Sequence, residues 1–338
     1  MTQSPTYSII IPHKNIPRLL ERCLHSIPQR DDLEVLIIDD NSDSSIVDFD
    51  HFPGKDRQDV KIIFDKSAKG AGHARNIGMN HAKGRWLIFA DADDYFNYGI
   101  RDILDEYRDD EADIVFFSVL VLDSQTYNFS HHRLNYLSYE IEKYQKGNKN
   151  SEIFLRYVHG PCWSKLFKKE FVTDHHICFQ ETKIFNDAQF SYMTGYYAEK
   201  IKADSRALYS LTYRPGSISY SLLTEEKIIE KVKVQAERIR FLEQHNVHIP
   251  SYFLFSDTNV KIKKTPFRFP FIPTLVDLLE KKNQNLYNKC LSIIIENKVF
   301  PQDKIPSMIK SEKRRRIIAR LRVKYAFRTR FMNFLHKK

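Results

Sequence analysis

The feature that most constrains the fold is an apolar run at residues 86–90 that ends in a cluster of carboxylates. The run is bounded by Gly84 before it and by Asp91, Asp93 and Asp94 after it. Five consecutive apolar residues predict a strand that is covered on both faces. The acids then follow its carboxyl end, which is the edge where open α/β sheets bind ligands.

The spacing of the acids indicates a metal site. In an extended chain Asp91 and Asp93 project to the same side, and Ala92 between them is too small to obstruct a ligand. Carboxylate oxygens with open positions for phosphate oxygens suit Mg2+ or Mn2+. The alternative is a polar turn that caps a following helix, since Asp is a good N-cap residue. These residues alone leave both interpretations open.

The composition predicts a folded chain with a large core. With 338 residues, two domains or one large domain with an extension are expected. A hydrophobic content of 42% and an aromatic content of 13% exclude a disordered protein. The four cysteines, without C-x-x-C spacing, favour free thiols over a zinc site or a disulfide framework. They are Cys23, Cys162, Cys178 and Cys290.

The sequence predicts neither a secretory signal nor a membrane-spanning helix. Residues 1–5 lack the charged start and apolar core of a secretory signal, and no apolar run reaches the roughly 18 residues of a spanning helix. A cytoplasmic location is therefore expected. The excess positive charge is nevertheless very uneven, because residues 310–338 hold twelve Lys or Arg and one acid. The rest of the chain holds 41 bases and 42 acids, so the body has no basic bias.

Hydrophobic periodicity predicts strands alternating with helices over the first 120 residues. This rhythm is typical of a mostly parallel sheet with helices on both faces, in the α/β class. Strands are predicted at residues 7–11, 33–38, 60–64, 86–90, 114–121 and 207–213. Helices are predicted at 17–27, 70–82, 99–107 and 184–198, after 163–167, and from about 222 onward with a proline-rich interruption at 266–273. Residues 123–150 are polar and predict loop with a hairpin.

Four short motifs follow one another in the first half of the chain. They are Pro12-His13-Lys14-Asn15, Asp39-Asp40-Asn41-Ser42, Gly72-His73-Ala74-Arg75-Asn76-Ile77-Gly78 and Asp91-Ala92-Asp93-Asp94. Together they resemble the family 2 glycosyltransferases of the GT-A fold, which are nucleotide-sugar-dependent inverting enzymes common in bacterial polysaccharide assembly. The resemblance is closest over residues 6–98 and extends to about residue 220. It implies a catalytic domain at 1–220, a helical extension at 221–309 and a basic tail at 310–338.

The resemblance implies a nucleotide-sugar donor, with UDP as the expected nucleotide, across the first strand ends. Asp40 would hold the base or ribose, with Asp39 beside it, and Arg75 would reach the diphosphate or the acids. The ordinary alternatives are a polar turn at residues 39–42 and a surface salt bridge at Arg75. The implied donor-binding residues are Pro12, Lys14, Asn15, Asp39, Asp40, Arg75, Asp91 and Asp93. Lys14 departs from the family, which often has an aromatic residue there, so a phosphate contact replaces base stacking as the expectation.

The resemblance implies a role for each of the acids that follow the apolar run at residues 86–90. Asp93 matches the direct ligand of Mg2+ or Mn2+, while Asp91 matches a second ligand or a contact to the donor sugar or ribose. Asp94 is a candidate for supporting these two residues without binding the metal itself. A divalent cation suits this chemistry because cleavage of the donor leaves two negatively charged phosphates.

The resemblance also implies a general base at the start of a helix, typically in a Glu-Asp pair. Phe185-Asn186-Asp187 occupies that place, about 95 residues after the acids, so Asp187 is the candidate base and Asn186 replaces the Glu. An ionised carboxylate can accept the proton of an attacking hydroxyl. The alternative is that Asp187 only favours the first turn of the helix.

Further candidates lie near the acceptor or the donor phosphates. Trp163 and Lys165 match a stretch that precedes the base in the family, although core packing of Trp163 is an equal alternative. Arg214 and Ser217 follow the last predicted strand and could approach phosphates. The expected acceptor is a glycan or a lipid-linked saccharide.

Two other functions are alternatives to a sugar transferase. A sugar nucleotidyltransferase would share the layered fold, but it should carry a glycine-rich basic loop after the first strand, where residues 12–17 have no glycine. A nucleic-acid-binding protein would use the tail, since clustered Lys and Arg bind phosphates without sequence preference. It would give the acidic strand ends no task, so no nucleic acid is expected. The tail interleaves bases with apolar residues from Arg320 to Arg328, which suits an anionic membrane surface, a solvated tail or one folded against the acidic body. Because enzymes of the family that the chain resembles often extend glycans on lipid carriers, peripheral membrane binding through residues 310–338 is predicted.

Overall fold

The computed structural model describes residues 4–130, 136–214, 224–249, 271–299 and 302–314. Ser217, most of the proline-rich interruption and residues 315–338 lie outside the described residues. The chain divides into two compact units, one formed mainly by residues 1–222 and one mainly by residues 223–338.

The first unit is built on an eight-stranded mixed sheet. Its strand order is β3-β2-β1-β4-β7-β6-β8-β5 within the described residues. The strands are β1 (Tyr7–His13), β2 (Leu33–Asp40), β3 (Val60–Asp65), β4 (Trp86–Phe89), β5 (Tyr95–Phe96), β6 (Ile114–Asp123), β7 (Lys165–Lys168) and β8 (Ile201–Tyr213). Strands β3, β2, β1 and β4 are mutually parallel, as are β6 and β8, whereas β7 and β5 pair antiparallel with their neighbours. The predicted α/β class with a mostly parallel sheet is confirmed.

Helices surround the sheet. In the first unit they are α1 (Pro17–His25), α2 (Ala71–His81), α3 (Ile100–Tyr107), α4 (Tyr136–Gln145), α5 (Lys149–Ile153), α6 (Lys169–Asp174) and α7 (Asp187–Tyr197), with a π-helical turn at Phe154–Val158. Proline at the start of α1 has the fixed φ that a first helical turn requires. Helix α2 lies close on the sheet because a Cβ at Gly78 would come within 2.4 Å of Ile10.

The three central strands are buried because their sequences are apolar on both faces. Strand β1 lies between β2 and β4, and Ile9, Val35 and Ile88 at matching positions have no exposed surface. Parallel strands in register bring their carboxyl ends to one edge of the sheet, where His13 is level with Asp39. The residues after β1, β2 and β4 are therefore neighbours.

The prediction of loop at residues 123–150 is only partly correct. A turn with an isolated bridge between Leu122 and Phe129 follows β6, but α4 and α5 occupy most of the remainder. Helix α4 forms because Leu137 and Ile141, one turn apart, bury themselves beside β6 and β8. The contact with the sheet stabilises a helix in a segment whose polar composition predicts loop.

The second unit is helical in its described part. It contains α8 (Glu225–Gln244), α9 (Phe271–Glu280), α10 (Gln284–Glu296), a 3₁₀ turn (Gln302–Lys304) and helical residues 305–314. Its core is formed by residues such as Ile239, Leu275, Cys290 and Ile294. No helix among the described residues is both long enough and apolar enough to span a bilayer.

Candidate active site

The loops after β1 and β2 are joined through the Asp39 side chain. His13 Nδ1 lies 2.8 Å from Asp39 Oδ2, and the backbone N–H and hydroxyl of Ser42 donate to the same carboxylate at 2.9 and 2.6 Å. Burial would raise the pKa of Asp39, but the hydrogen bonds from His13 and Ser42 outweigh it and hold the pKa below its ordinary value. The carboxylate of Asp39 thus holds the end of β1 and the loop after β2 together.

Asp40 has the more accessible surroundings of the pair. Its Oδ2 atom accepts a hydrogen bond from Lys14 Nζ at 3.1 Å, and its Oδ1 atom accepts one from the backbone N–H of Gly70 at 3.0 Å. The Lys14 side chain is 46% exposed, so this partner can move aside or bind an anion. The Lys14–Asp40 pair links the end of β1 to the glycine-rich entry of α2.

Pro12 and Asn15 fix the course of the chain beyond β1. Pro12 is the sixth residue of β1 and is level with Ile38 of β2. Asn15 has a φ of 57°, a conformation that asparagine tolerates better than most residues. Its N–H donates to Ser42 Oγ at 2.9 Å, and its Oδ1 accepts from the Asp43 N–H at 2.7 Å. The two predicted donor-binding loops therefore support each other.

The acids after β4 lie in a turn. The N–H of Asp94 donates to the carbonyl oxygen of Asp91 at 3.0 Å, and Ala92 is buried. The expectation that an extended chain presents Asp91 and Asp93 on one side is wrong, because β4 ends at Phe89 and the turn follows. Within the turn, Asp93 Oδ2 pairs with Arg214 Nε at 3.1 Å. This contact brings Arg214 to the acids, and its approach to donor phosphates stays a prediction.

Burial and mutual repulsion act on the acids of the turn. Burial raises the pKa of Asp93, the charge of Asp91 raises it further, and Arg214 only partly compensates. Burial likewise raises the pKa of Asp94 well above its ordinary value, with Asp93 and Asp91 adding to the effect. Asp94 accepts a hydrogen bond from the Thr212 N–H at 2.6 Å, which attaches the turn to β8. A cation beside Asp91 and Asp93 would relieve this repulsion.

Arg75 connects the turn to the start of α7. Its Nη2 atom lies 2.5 Å from Asp91 Oδ1, its Nη1 atom lies 2.7 Å from Asn186 Oδ1, and its guanidinium lies 5.4 Å from the Phe179 ring centre. The residue is only 5% exposed. The alternative of a weak surface salt bridge does not describe this buried guanidinium.

Asp187 is the first residue of α7, next to the Arg75 partner. Asn186 occupies the N-cap position without a side-chain capping bond, because its side-chain oxygen accepts from Arg75 instead. Burial raises the pKa of Asp187, the Arg75 charge opposes this shift, and the Asp91 charge reinforces it. A carboxylate with a raised pKa is a stronger base than an exposed one.

A large part of the sequence matches known transferases. The model of the family described as Glycosyl transferase family 2 matches residues 8–173. The putative glycosyltransferase EpsH of Bacillus subtilis (strain 168) is 23% identical over 252 residues, which cover 72% of this chain and 71% of EpsH. Over residues 8–173, the chain is a member of glycosyltransferase family 2. The resemblance stated from the four motifs is thereby confirmed.

Solved structures show the same fold. S. aureus TarS 1-349 in complex with UDP-GlcNAc superimposes with a TM-score of 0.56 at 18% identity, covering 91% of this chain and 92% of TarS 1-349. The mannosyltransferase PcManGT from Pyrobaculum calidifontis, in complex with GDP-Man and Mn2+, gives a TM-score of 0.50 at 13% identity and covers 92% of this chain and 80% of PcManGT. The predicted GT-A fold is therefore confirmed for this glycosyltransferase.

Two acceptor candidates of this family 2 enzyme lie in the core. Trp163 is 6% exposed and stacks on Tyr209 with ring centres 5.8 Å apart. Lys165 is 1% exposed, and its Nζ donates to the His159 carbonyl oxygen at 3.3 Å and lies 5.0 Å from the Phe116 ring centre. In this structure Trp163 packs in the core, which was the alternative to an acceptor contact. Lys165 still acts on the site at a distance, because its charge opposes the raised pKa of Asp187.

Several residues that shape the site of this glycosyltransferase could not be identified from sequence patterns. His13 stood in the first motif without a role, yet it holds Asp39. Tyr209 lies in a predicted strand, and its hydroxyl oxygen accepts a hydrogen bond from the Asp91 N–H at 2.8 Å. Arg22 on α1 donates to the Asp93 carbonyl oxygen. These contacts span at least 26 residues and arise only from packing of distant segments.

The donor set after β4 fits a cation that is shared with a ligand. Asp91 and Asp93 supply hard oxygen atoms, which Mg2+ and Mn2+ prefer, and burial together with the Asp91 charge raises the pKa of Asp93. No group of three or more His, Cys, Asp or Glu side chains in the described part of the chain has metal-binding geometry. Beside the carboxylates of Asp91 and Asp93, phosphate oxygens and water would provide further ligands.

Proposed function

We propose that this glycosyltransferase transfers a sugar from a UDP-sugar to a hydroxyl of a glycan or lipid-linked acceptor, with inversion, in the assembly of a bacterial cell-surface polysaccharide. The observation that carries the proposal is the bridge of Arg75 between Asp91 and Asn186. It joins the acids expected to receive the donor with the residue next to the candidate base. The complex of TarS with UDP-GlcNAc is consistent with a UDP-sugar donor.

The donor is proposed to lie across the ends of β1, β2 and β4. Asp40 accepts hydrogen bonds from the base or ribose, and the exposed Lys14 offers a cation to phosphate oxygens. Arg75 and Arg214 lie beside Asp91 and Asp93, where their charges offset those of the diphosphate. Mg2+ or Mn2+, held by Asp93 and Asp91 when bound, would stabilise the charge that develops on the leaving diphosphate.

Asp187 is proposed to act as the general base. The acceptor oxygen forms a bond to the anomeric carbon as the bond from that carbon to the diphosphate oxygen breaks, and the hydroxyl proton passes to the Asp187 carboxylate. Attack from the face opposite the leaving group inverts the anomeric configuration. The raised pKa of Asp187 strengthens it as a proton acceptor.

Donor binding is testable by calorimetry with UDP and a panel of UDP-sugars, with and without Mn2+. We expect binding that requires the metal and that falls at least about tenfold in Asp93→Ala, since a charged contact is lost. The exposed Asp56→Ala is a matched control. Equal UDP affinity with and without metal in both the native protein and Asp93→Ala would overturn the metal site, and transfer from no UDP-sugar would overturn the donor class.

The basic tail is proposed to bring the enzyme to the cytoplasmic face of a membrane. This proposal is based on the sequence, because residues 315–338 lie outside the described residues. Bases near an anionic surface contribute about 1 kcal/mol each, and salt screens much of this attraction. Sedimentation with anionic vesicles should pull down the native chain at low salt and much less of a variant with Arg320, Arg322 and Arg328 changed to Gln. Equal sedimentation of the two, or equal binding to neutral vesicles, would exclude the tail as the anchor.

A further inference from the structure

We infer that Arg22 is a positioning residue for the acidic turn at Asp91–Asp94, because it holds the Asp93 backbone and thereby sets where the Asp93 carboxylate points. The inference rests on the proposed function in one respect, which is that the turn receives the metal and the diphosphate. Arg22 lies on α1, which follows β1 and precedes the turn by about 70 residues of sequence.

The Arg22 guanidinium is a junction of three segments. Its Nη2 atom donates to the Asp93 carbonyl oxygen at 2.5 Å and lies 3.4 Å from Thr212 Oγ1 on β8. Its Nη1 atom lies 3.3 Å from both the carbonyl oxygen and the hydroxyl of Ser124, directly after β6. A planar fork with several donors suits such a junction, and the single ammonium of a lysine could not span it.

Aromatic rings fix the orientation of this fork. The guanidinium carbon of Arg22 lies 5.1 Å from the centre of the Tyr95 ring and 6.0 Å from that of Tyr127. Tyr95 is the second residue after Asp93, so the turn and the strand that follows it both contact Arg22. Stacking of a cation on aromatic rings adds to the hydrogen bonds.

The contacts of Arg22 involve the backbone of the turn and leave its carboxylates to other partners. The Asp93 carbonyl oxygen accepts a second hydrogen bond from Thr212 Oγ1 at 2.6 Å, which uses both of its lone pairs. The Asp93 carboxylate instead pairs with Arg214. A ligand at the carboxylate therefore competes with Arg214 and not with Arg22. Arg22 can hold the turn in the same way whether or not a ligand is bound.

Arg22 is partly buried, and its one buried, unpaired donor argues against a purely stabilising role. Its Nε atom is buried without a hydrogen-bond partner among the described residues, and an unsatisfied buried donor costs stability. An apolar side chain would avoid that cost but could not hold the Asp93 carbonyl. The arrangement is thus better suited to fixing the turn than to stabilising the fold.

The first test is hydrogen exchange of the peptide that covers residues 89–96, measured without ligand in the native protein, Arg22→Met and Arg22→Lys. We expect faster exchange of the turn amides in Arg22→Met, and in Arg22→Lys to a smaller extent, while the melting temperature stays within a few degrees of the native value. Arg18→Met is the matched control, since Arg18 lies exposed on the same helix. Native exchange rates in Arg22→Met would overturn the inference.

The second test is the affinity for UDP in the presence of Mn2+. We expect a loss of at least about tenfold in Arg22→Met, the factor that corresponds to one charge-assisted hydrogen bond, with partial recovery in Arg22→Lys. Native affinity combined with faster exchange would also overturn the inference, because the turn would then move without consequence for the ligand. If the native protein binds no nucleotide, the proposed function fails, and the exchange experiment still decides whether Arg22 holds the turn.

Discussion

The Nη2 atom of Arg75 lies 2.5 Å from Oδ1 of Asp91, in an ion pair between a buried guanidinium on α2 and a partly exposed carboxylate in the turn after β4. The other arm of the same guanidinium binds Asn186, the residue before Asp187. One side chain thus connects the acids proposed to receive the donor with the base proposed to activate the acceptor.

Replacing Arg75 by Lys should uncouple these two ends. A lysine keeps the charge but cannot bind Asp91 and Asn186 at once, so we expect transfer to fall by at least about tenfold together with a loss of thermal stability. Steady-state rates and thermal melts of Arg75→Lys and Asn186→Ala provide the measurement. Asn186→Ala removes only the second contact and should retain nucleotide affinity. Native activity in both variants would contradict a shared role for the bridge.

Gly72, the second residue of α2, should be intolerant of a side chain. A Cβ at Gly72 would lie 2.0 Å from the carbonyl oxygen of Gln180, so Gly72→Ala must displace the segment that leads to Asp187. We expect a loss of about 1–3 kcal/mol of unfolding free energy, as for other overpacked sites. Chemical denaturation measures it. Gly99→Ala is the control, since its Cβ would meet nothing within 4 Å, and equal losses in the two variants would contradict the argument.

The strand ends could be predicted from sequence because each signal is local. The apolar run at 86–90 and the acids after it lie within ten residues, and the parallel order of β1, β2 and β4 follows from strands alternating with helices. The contacts between distant segments could not be predicted in this way. Arg75 meets Asn186 across 111 residues and Arg22 meets Asp93 across 71, and no periodicity encodes such pairs.

Two errors have the same origin. The turn at Asp91–Asp94 replaced the extended chain because Thr212 and Tyr209 on β8 offer hydrogen bonds to a bent backbone. Helix α4 replaced predicted loop because Leu137 and Ile141 found a face of the sheet to cover. In both places the tertiary partner decided the local conformation, and the partner is far away in the sequence.

The buried Lys165 should make stability depend on pH. Burial lowers its pKa from 10.5 to about 7, so between these values the unfolded chain binds a proton that the folded chain does not. Stability contributed by neutral Lys165 is therefore present at high pH and is lost as pH falls through this window. Relative to Lys165→Met, the native protein should gain up to about 1.4 kcal/mol of unfolding free energy per pH unit between pH 7 and 10.

Urea denaturation of both proteins across this range measures the difference. Lys61→Gln, at an exposed position of β3, is the control and should follow the native protein. A constant difference between the native protein and Lys165→Met would show that Lys165 titrates with a pKa near its ordinary value.

Asp187→Asn separates the chemical role of this residue from its structural role. The substitution keeps the size of the side chain and removes the proton acceptor, so transfer should fall by the roughly 10²- to 10⁴-fold that general base catalysis contributes, while UDP affinity persists. Because burial raises the pKa of Asp187, the ionised group costs folding free energy at neutral pH, and the uncharged variant should be at least as stable as the native protein at pH 7. The native rate should decline on the acid side as Asp187 takes up a proton, at a higher pH than an exposed aspartate would require. Near-normal transfer by Asp187→Asn, or an unchanged acid limb in that variant, would place the base elsewhere and leave Asp187 as a residue that favours the first turn of α7.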